Sequence, residues 1–188
     1  MIDGCGRHID HLRLSLTDGC NLACGYCRTG NAEPSRGCLD VNFAVALVEW
    51  LSRAHGIRHV RLTGGEPLLY PQLLELVRWL KRLETLNEIT LSTNAQALAA
   101  RARRLHAAGL TRVNISLDTL DPQRFAQLTR GGHIAHTLRG VEAALAAQLT
   151  PVRINVVVQR GLNDEELAAL AEWGLARGCT VRFLELMR

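Results

Sequence analysis

Residues 112–118 read Arg112-Val113-Asn114-Ile115-Ser116-Leu117-Asp118. Apolar and polar residues alternate strictly, the pattern of a β-strand with one dry face and one wet face. Val113, Ile115 and Leu117 point one way; Asn114, Ser116 and Asp118 point the other. The alternation recurs outward along the chain. Leu12, Leu14 and Leu16 oppose Arg13, Ser15 and Thr17 in the run 11–17. Val60 and Leu62 oppose Arg61 and Thr63 in 57–63, and Ile89 and Leu91 oppose Thr90 and Ser92 in 88–92. Val152, Ile154 and Val156 oppose Arg153 and Asn155 in 151–158. The sixth run, 180–187, alternates less cleanly, because Glu185 and Met187 share a face with Phe183.

Helical stretches separate these runs. One is expected over 40–55, and one from Pro71, a residue suited to the first helical position. An alanine-rich helix should end near Ala108, since Gly109 is a natural stop. Asp121-Pro122 opens a short helix, and a longer one covers 136–148. Asn163 with Glu166 resembles a capping box for the next helix. Six βα repeats imply a parallel sheet with helices outside. A sheet covered on both faces would show near-continuous apolar strands, and a closed eight-stranded barrel fills its interior with branched apolar residues. Here one strand face is polar on five successive strands. The expected fold is therefore α/β, a six-stranded parallel partial (β/α)6 barrel with an open polar lumen. An antiparallel sheet with one wet face is the alternative, and the intervening helices count against it.

In such folds the chemistry gathers where strands end. After the first strand comes Cys20-Asn21-Leu22-Ala23-Cys24-Gly25-Tyr26-Cys27. Thiolates at C-x3-C-x2-C spacing reach one metal centre. A [4Fe–4S] cluster normally takes four thiolates, so three leave one iron open, as catalytic metal sites keep a position open. The alternatives are a structural zinc site with His8, His11 or Cys38 as fourth ligand, or disulfides. After the second strand comes Thr63-Gly64-Gly65-Glu66-Pro67. Its glycines let backbone approach a ligand closely, and Glu66 offers an acceptor. Ser92-Thr93-Asn94 ends the third strand, and Met187 ends the sixth.

Composition narrows the rest. A chain of 188 residues is long enough to bury a core. It is 47% hydrophobic but only 4% aromatic, so that core is built from Leu, Val, Ile and Ala. The net charge is +4, and Lys81 is the only lysine. Arginine forks suit phosphate and carboxylate, which points to an anionic ligand. Their scatter argues against a nucleic-acid surface. Met1-Ile2-Asp3-Gly4 is not the start of a signal peptide, and no run of about 18 apolar residues exists to span a membrane. Six cysteines without a secretory signal point to a reducing cytoplasm. Cys5, Cys38 and Cys179 are expected to be ordinary thiols.

With the cysteine and Gly-Gly-Glu-Pro motifs one strand apart, the sequence resembles the radical S-adenosylmethionine (SAM) superfamily. The resemblance implies a triad-held [4Fe–4S] cluster whose open iron binds the SAM amine and carboxylate. It implies reductive cleavage of SAM to a 5′-deoxyadenosyl radical, and recognition of the SAM amino group by Gly64, Gly65 and Glu66. Within the superfamily the chain is similar to the GTP 3′,8-cyclase family of molybdenum cofactor biosynthesis. The stretches that carry this are Leu12 to Ser15 with Thr17-Asp18, Arg61 to Leu68, Ser92 to Asn94, Ala108 to Leu110 with Arg112 to Asp118, Pro151 to Asn155, Arg160 to Glu165 and Val181 to Met187. In that family the radical takes the ribose 3′ hydrogen of GTP, and the 3′ carbon attacks C8 of guanine.

Carried over by position, Cys20, Cys24 and Cys27 are the expected cluster ligands. Tyr26, Gly65, Ser116 and Met187 would contact SAM. Arg13, Arg61, Ser92 and Arg153 would contact GTP. Strand alternation separately puts Arg13, Arg61, Ser92, Ser116 and Arg153 on the inner face, and three arginines in one cavity suit a triphosphate. The alternative is salt bridging of these arginines to Asp118, Glu66 or Glu185. Gly19, Arg28, Ala95 and Arg153 depart from the family pattern without touching a cluster ligand. Residues 1–188 are expected to form a radical SAM core domain, without the second-cluster region that the family carries at its C-terminus. Further expectations are an electron donor such as flavodoxin or ferredoxin, and self-association through an exposed apolar barrel edge. Rival readings are a different radical SAM enzyme, for example a peptide-modifying one, and a core that binds a cluster without turnover.

Overall fold

The computed structural model describes residue 2, residues 4–27 and residues 37–186. Its elements alternate: β1 (His11–Ser15), α1 (Val41–His55), β2 (His59–Thr63), α2 (Leu73–Lys81), β3 (Glu88–Thr93), α3 (Ala102–Ala108), β4 (Arg112–Ser116), α4 (Pro122–Thr129), α5 (Ile134–Ala146), β5 (Arg153–Val158), α6 (Leu167–Leu175) and β6 (Thr180–Glu185). The strands form one parallel sheet in the order β1-β2-β3-β4-β5-β6. β1 and β6 are its two edges, so the sheet is open, as a partial barrel requires.

The dry face is the expected one. Val60, Leu62, Ile89, Leu91, Val113, Ile115, Leu117, Ile154 and Val156 are all buried beneath the helices. Burial of each such side chain stabilises by roughly 1.5–3 kcal/mol. Helix α1 illustrates how the other layer is made. Asp40 caps it by accepting the Phe43 N–H at 2.8 Å. Val41, Ala44 and Val48 form its buried stripe. Gly56 ends it in a left-handed conformation, φ 73°. Asp121 likewise caps α4, accepting the Arg124 N–H at 2.6 Å with Pro122 at the first helical position.

Register then sets out the polar face in rows. Arg13, Arg61, Thr90 and Arg112 stand side by side. One pleat further along, Ser92, Asn114 and Arg153 are neighbours, followed by Ser116, Asn155 and Arg182.

Three local expectations change. The second helix begins at Leu73, not Pro71, because Pro67–Leu69 forms a 3₁₀ turn capped by the Glu66 side chain. The alanine-rich helix is short, with residues 97–101 in turns before Ala102. The Asn163–Glu166 capping box does not form. Asn163 is fully buried and donates instead to the carbonyls of Asp118 and Val157, at 2.7 and 2.9 Å. Glu166 accepts from Thr119 and from the Leu120 N–H. These two residues bind the loop after β5 to the loop after β4. Among the described residues no helix is long and apolar enough to cross a membrane.

Candidate functional site

The chain leaves β1 and turns through Thr17 and Gly19 into the cysteine stretch. The Gly19 N–H donates to Thr17 Oγ1 at 3.1 Å. The Gly-Gly turn after β2 is pressed against this turn. Gly65 N–H donates to the Thr17 carbonyl at 2.6 Å, and Glu66 N–H to the Gly19 carbonyl at 2.8 Å. Gly64 has φ +141°, and a Cβ there would collide with the Thr17 carbonyl oxygen. A Cβ on Gly65 would collide with the Gly19 carbonyl oxygen and stand 2.6 Å from that of Asp18. Only glycine allows such backbone contact. The cysteine and Gly-Gly-Glu-Pro motifs are thus one structural unit.

Cys20, Cys24 and Cys27 line one cavity of about 270 Å³ together with Gly64, Gly65 and Glu66. Arg13, Tyr26, Ser92 and Ser116 line its other side. Among the described residues no cysteine is in a disulfide. Burial pushes the Cys24 thiol up to about 12, with the Asp118 charge adding to it, and burial also raises Cys20. Metal binding must displace those protons. Asn94 reaches over from the end of β3. Its Nδ2 donates to Asn21 Oδ1 at 2.8 Å and lies 3.9 Å from Cys20 Sγ.

Two carboxylates organise the cavity from behind. Glu66 is 1% exposed. Its Oε1 accepts from Thr93 Oγ1 at 2.6 Å and from Leu68 N–H at 3.0 Å, and its Oε2 from Asn94 N–H at 2.8 Å. Burial raises its pKa above the ordinary value despite these donors. Asp118 accepts from Tyr26 Oη at 2.6 Å and from Val157 N–H at 2.8 Å. Burial, then the Asp118 charge, raises the Tyr26 pKa, so Tyr26 stays a neutral donor.

The lumen continues past Arg13 into a second cavity of about 190 Å³, lined by Arg61, Arg112 and Glu88. Burial, then the charges of Arg112, Arg13 and Arg182, lowers the Arg61 pKa. Arg153 is lowered by burial and by Arg112 and Arg182. Five guanidiniums therefore share one field. Among the described residues no ion pair joins Arg13, Arg61 or Arg153 to Asp118, Glu66 or Glu185; the carboxylate in the lumen that is paired is Glu88, with Arg112 at 2.5 Å. Arg112 and Arg182 were not among the expected site residues. Arg112 sits in phase with Asn114 and Ser116, so alternation carried its signal. Met187 lies outside the described residues. His11 stands at the opposite end of β1 from the cysteines, and does not line their cavity.

The radical SAM superfamily model matches residues 14–174. The chain belongs to the radical SAM superfamily. The GTP 3′,8-cyclase of Peptoclostridium acidaminophilum is 46% identical over 194 residues, which are 100% of this chain and 58% of that protein. GTP 3′,8-cyclase 1 of Pseudomonas aeruginosa is 43% identical over 188 residues, 99% of this chain and 57% of the relative. The chain thus spans a little over half the length of these curated relatives. Among solved structures, Streptococcus suis SuiB bound to precursor peptide SuiA superposes with TM-score 0.80 at 19% identity, over 95% of this chain and 39% of SuiB. Methylornithine synthase (PylB) superposes with TM-score 0.74 at 21% identity, over 94% of this chain and 53% of that one. These two likenesses speak for the shared fold.

As a radical SAM protein the chain takes a [4Fe–4S] cluster and SAM. The donor set fits. Three thiols line one cavity, with the backbone of a Gly-Gly turn beside them that has no room for a side chain.

Proposed function

We propose that residues 1–188 act as a radical SAM core domain of the GTP 3′,8-cyclase type, converting GTP to the cyclic precursor of molybdenum cofactor. One observation carries the substrate reading. Arg13, lining the same cavity as the three cysteines, also lines the arginine-rich cavity behind it. An anion neutralising those guanidiniums is thereby held beside the site of radical formation. Similarity to cyclases at 40–46% identity supports GTP as that anion.

When bound, the cluster and SAM would supply the radical chemistry, abstraction of a hydrogen atom from the substrate. The chain's own part is placement. Cys20, Cys24 and Cys27 hold the cluster. The backbone of Gly64 and Gly65 meets the SAM amine, and Glu66 keeps that turn in shape. Tyr26, fixed by Asp118, and Ser116 contact SAM, as does Met187. Arg13, Arg61 and Arg153 neutralise phosphate, a task for which forked donors give geometry as well as charge. Ser92 hydrogen-bonds the substrate. Arg112 and Arg182 strengthen the field.

The reading includes a reducing cytoplasm, where thiols such as Cys20, Cys24 and Cys27 stay available to hold a cluster. It includes a flavodoxin- or ferredoxin-like electron donor, which reductive cleavage requires. It also includes self-association through the β6 edge, supported by exposed Phe183, Leu184 and Leu186.

The test is anaerobic reconstitution with iron and sulfide, reduction, and measurement of 5′-deoxyadenosine from SAM with and without GTP. Formation stimulated by GTP is expected. Formation indifferent to GTP would leave a radical generator with another substrate. No formation by a fully loaded cluster would overturn the reading for this chain.

A further inference from the structure

We infer that the N-terminal ends of β1 and β2 form a second metal site, for a divalent transition ion of the zinc class. Its donors would be Asp10, His11 and His59. It lies at the end of the sheet away from the cysteines; His11 and His59 line the cavity that Arg13, Arg61 and Arg112 also line, and the inference does not rest on the reaction proposed above.

The placement follows from the sheet. His11 and His59 are register partners on adjacent parallel strands. Their rings stack at 4.3 Å between centroids, 14° from parallel. The Asp10 backbone is held beside them, its carbonyl accepting both the Arg58 and the His59 N–H, at 2.8 and 3.0 Å. Its carboxylate faces a ring-edge nitrogen of each histidine. Oδ1 is 2.5 Å from His11 Nδ1, and Oδ2 is 3.8 Å from His59 Nε2. One ligand atom from each residue falls within 4.8 Å of the other two. Turning one ring out of the stack would bring such a group onto one ion, at about 2.0–2.2 Å from each donor.

A second observation bears on how the His59 ring is turned. His59 Nδ1 is buried with no hydrogen-bond partner, a costly state for a ring nitrogen. It faces Glu88 Oε2 at 3.6 Å. Metal-bound histidines commonly orient their other N–H onto a carboxylate, which fixes the tautomer and raises ligand basicity. His59 has that arrangement in outline, with Nε2 toward Asp10 and Nδ1 toward Glu88. Glu88 is held in place by Arg112, whose Nε and Nη2 donate to its two oxygens at 2.5 and 2.9 Å. Two imidazoles and a carboxylate are a donor set for zinc-class ions, and three protein donors leave a coordination position open.

The experiment is equilibrium dialysis of the cluster-loaded chain against Zn²⁺, with bound zinc and iron counted by mass spectrometry. The expected result is one zinc per chain beyond the cluster iron. His59→Gln and His11→Gln should each abolish it, and Glu88→Gln should weaken it by roughly 10- to 100-fold. Serine at Cys20, Cys24 and Cys27 should remove iron and leave this zinc in place. Thermal melts of His11→Gln, whose side chain is 64% exposed, separate loss of zinc from loss of fold. Zinc uptake unchanged in both histidine variants, zinc lost with the cysteines, or no uptake at all would overturn the site.

Discussion

Glu66 holds Asn94. The Glu66 carboxylate after β2 accepts the Asn94 backbone N–H after β3 at 2.8 Å, and Asn94 in turn leans its side chain toward Cys20. A residue of the Gly-Gly-Glu-Pro motif thereby positions a neighbour of the first cysteine.

Glu66→Ala should leave three buried donors without an acceptor: the Thr93 hydroxyl and the N–H groups of Leu68 and Asn94. Each such loss costs about 1–3 kcal/mol, so unfolding stability should fall by about 3 kcal/mol or more. Urea denaturation of the two proteins measures this, and a loss below about 1 kcal/mol would contradict the role assigned to Glu66.

Gly65→Ala tests the seam between the two motifs. The new Cβ has nowhere to go except into the backbone of Asp18 and Gly19. Overpacking of this kind costs about 1–3 kcal/mol, and here the strain falls on the turn leading into Cys20. Lower melting temperature together with lower iron content after reconstitution is expected. Wild-type iron loading would show that the cysteine turn moves freely of the glycines.

Arg61→Gln should separate stability from binding. Arg61 is desolvated, repelled by Arg112, Arg13 and Arg182, and its Nε is buried without a hydrogen-bond partner. Its removal should leave the fold as stable or more so. Affinity for GTP, followed by equilibrium dialysis, should drop ~10-fold or more, the value of a charge-assisted hydrogen bond. A destabilised variant with unaltered GTP affinity would reverse both halves of the expectation.

Acid should weaken the fold through Glu88 and Glu166. Burial pushes both carboxyls up, but hydrogen bonds from Arg112 to Glu88, and from Thr119, Leu120 and Arg124 to Glu166, outweigh it and hold both below 4.5. The unfolded chain then takes up protons first as pH falls. Stability is present above about 4.5 and drains away as pH drops through the lower folded-state values. Glu66, raised by burial, contributes with the opposite sign. The urea midpoint should decline below pH ~4.5, and decline less in Glu88→Gln and Glu166→Gln.

The architecture was legible because it rests on periodicity. Val113, Ile115 and Leu117 against Asn114 and Ser116 already state that one strand face is wet, and the neighbouring runs repeat it. The cysteine spacing and the paired glycines were equally local. What could not be read was anything decided by register. Which arginine faces Glu88 depends on how β3 and β4 align, and that gives Glu88 to Arg112 rather than to Arg13, Arg61 or Arg153. Asn163 and Glu166 show the same limit: their spacing fits a cap, but tertiary contacts with Asp118, Val157 and Thr119 claim both side chains. Glu66 looked like a group aimed at a ligand, and its oxygens are occupied by the chain's own donors.

Strand β2 is also a ruler. Arg61 stands two residues before Thr63 and three before Gly64, and extended parallel backbone advances about 3.3 Å per residue. On the proposed reading, the depth at which a charged guest would be gripped is tied to the depth at which it would be attacked, by a length of roughly 7–10 Å of backbone. That length belongs to a hydrogen-bonded strand held on both sides, by β1 and β3. On that reading, a guest whose charge and reactive carbon differ from this span would be out of reach however tightly it bound.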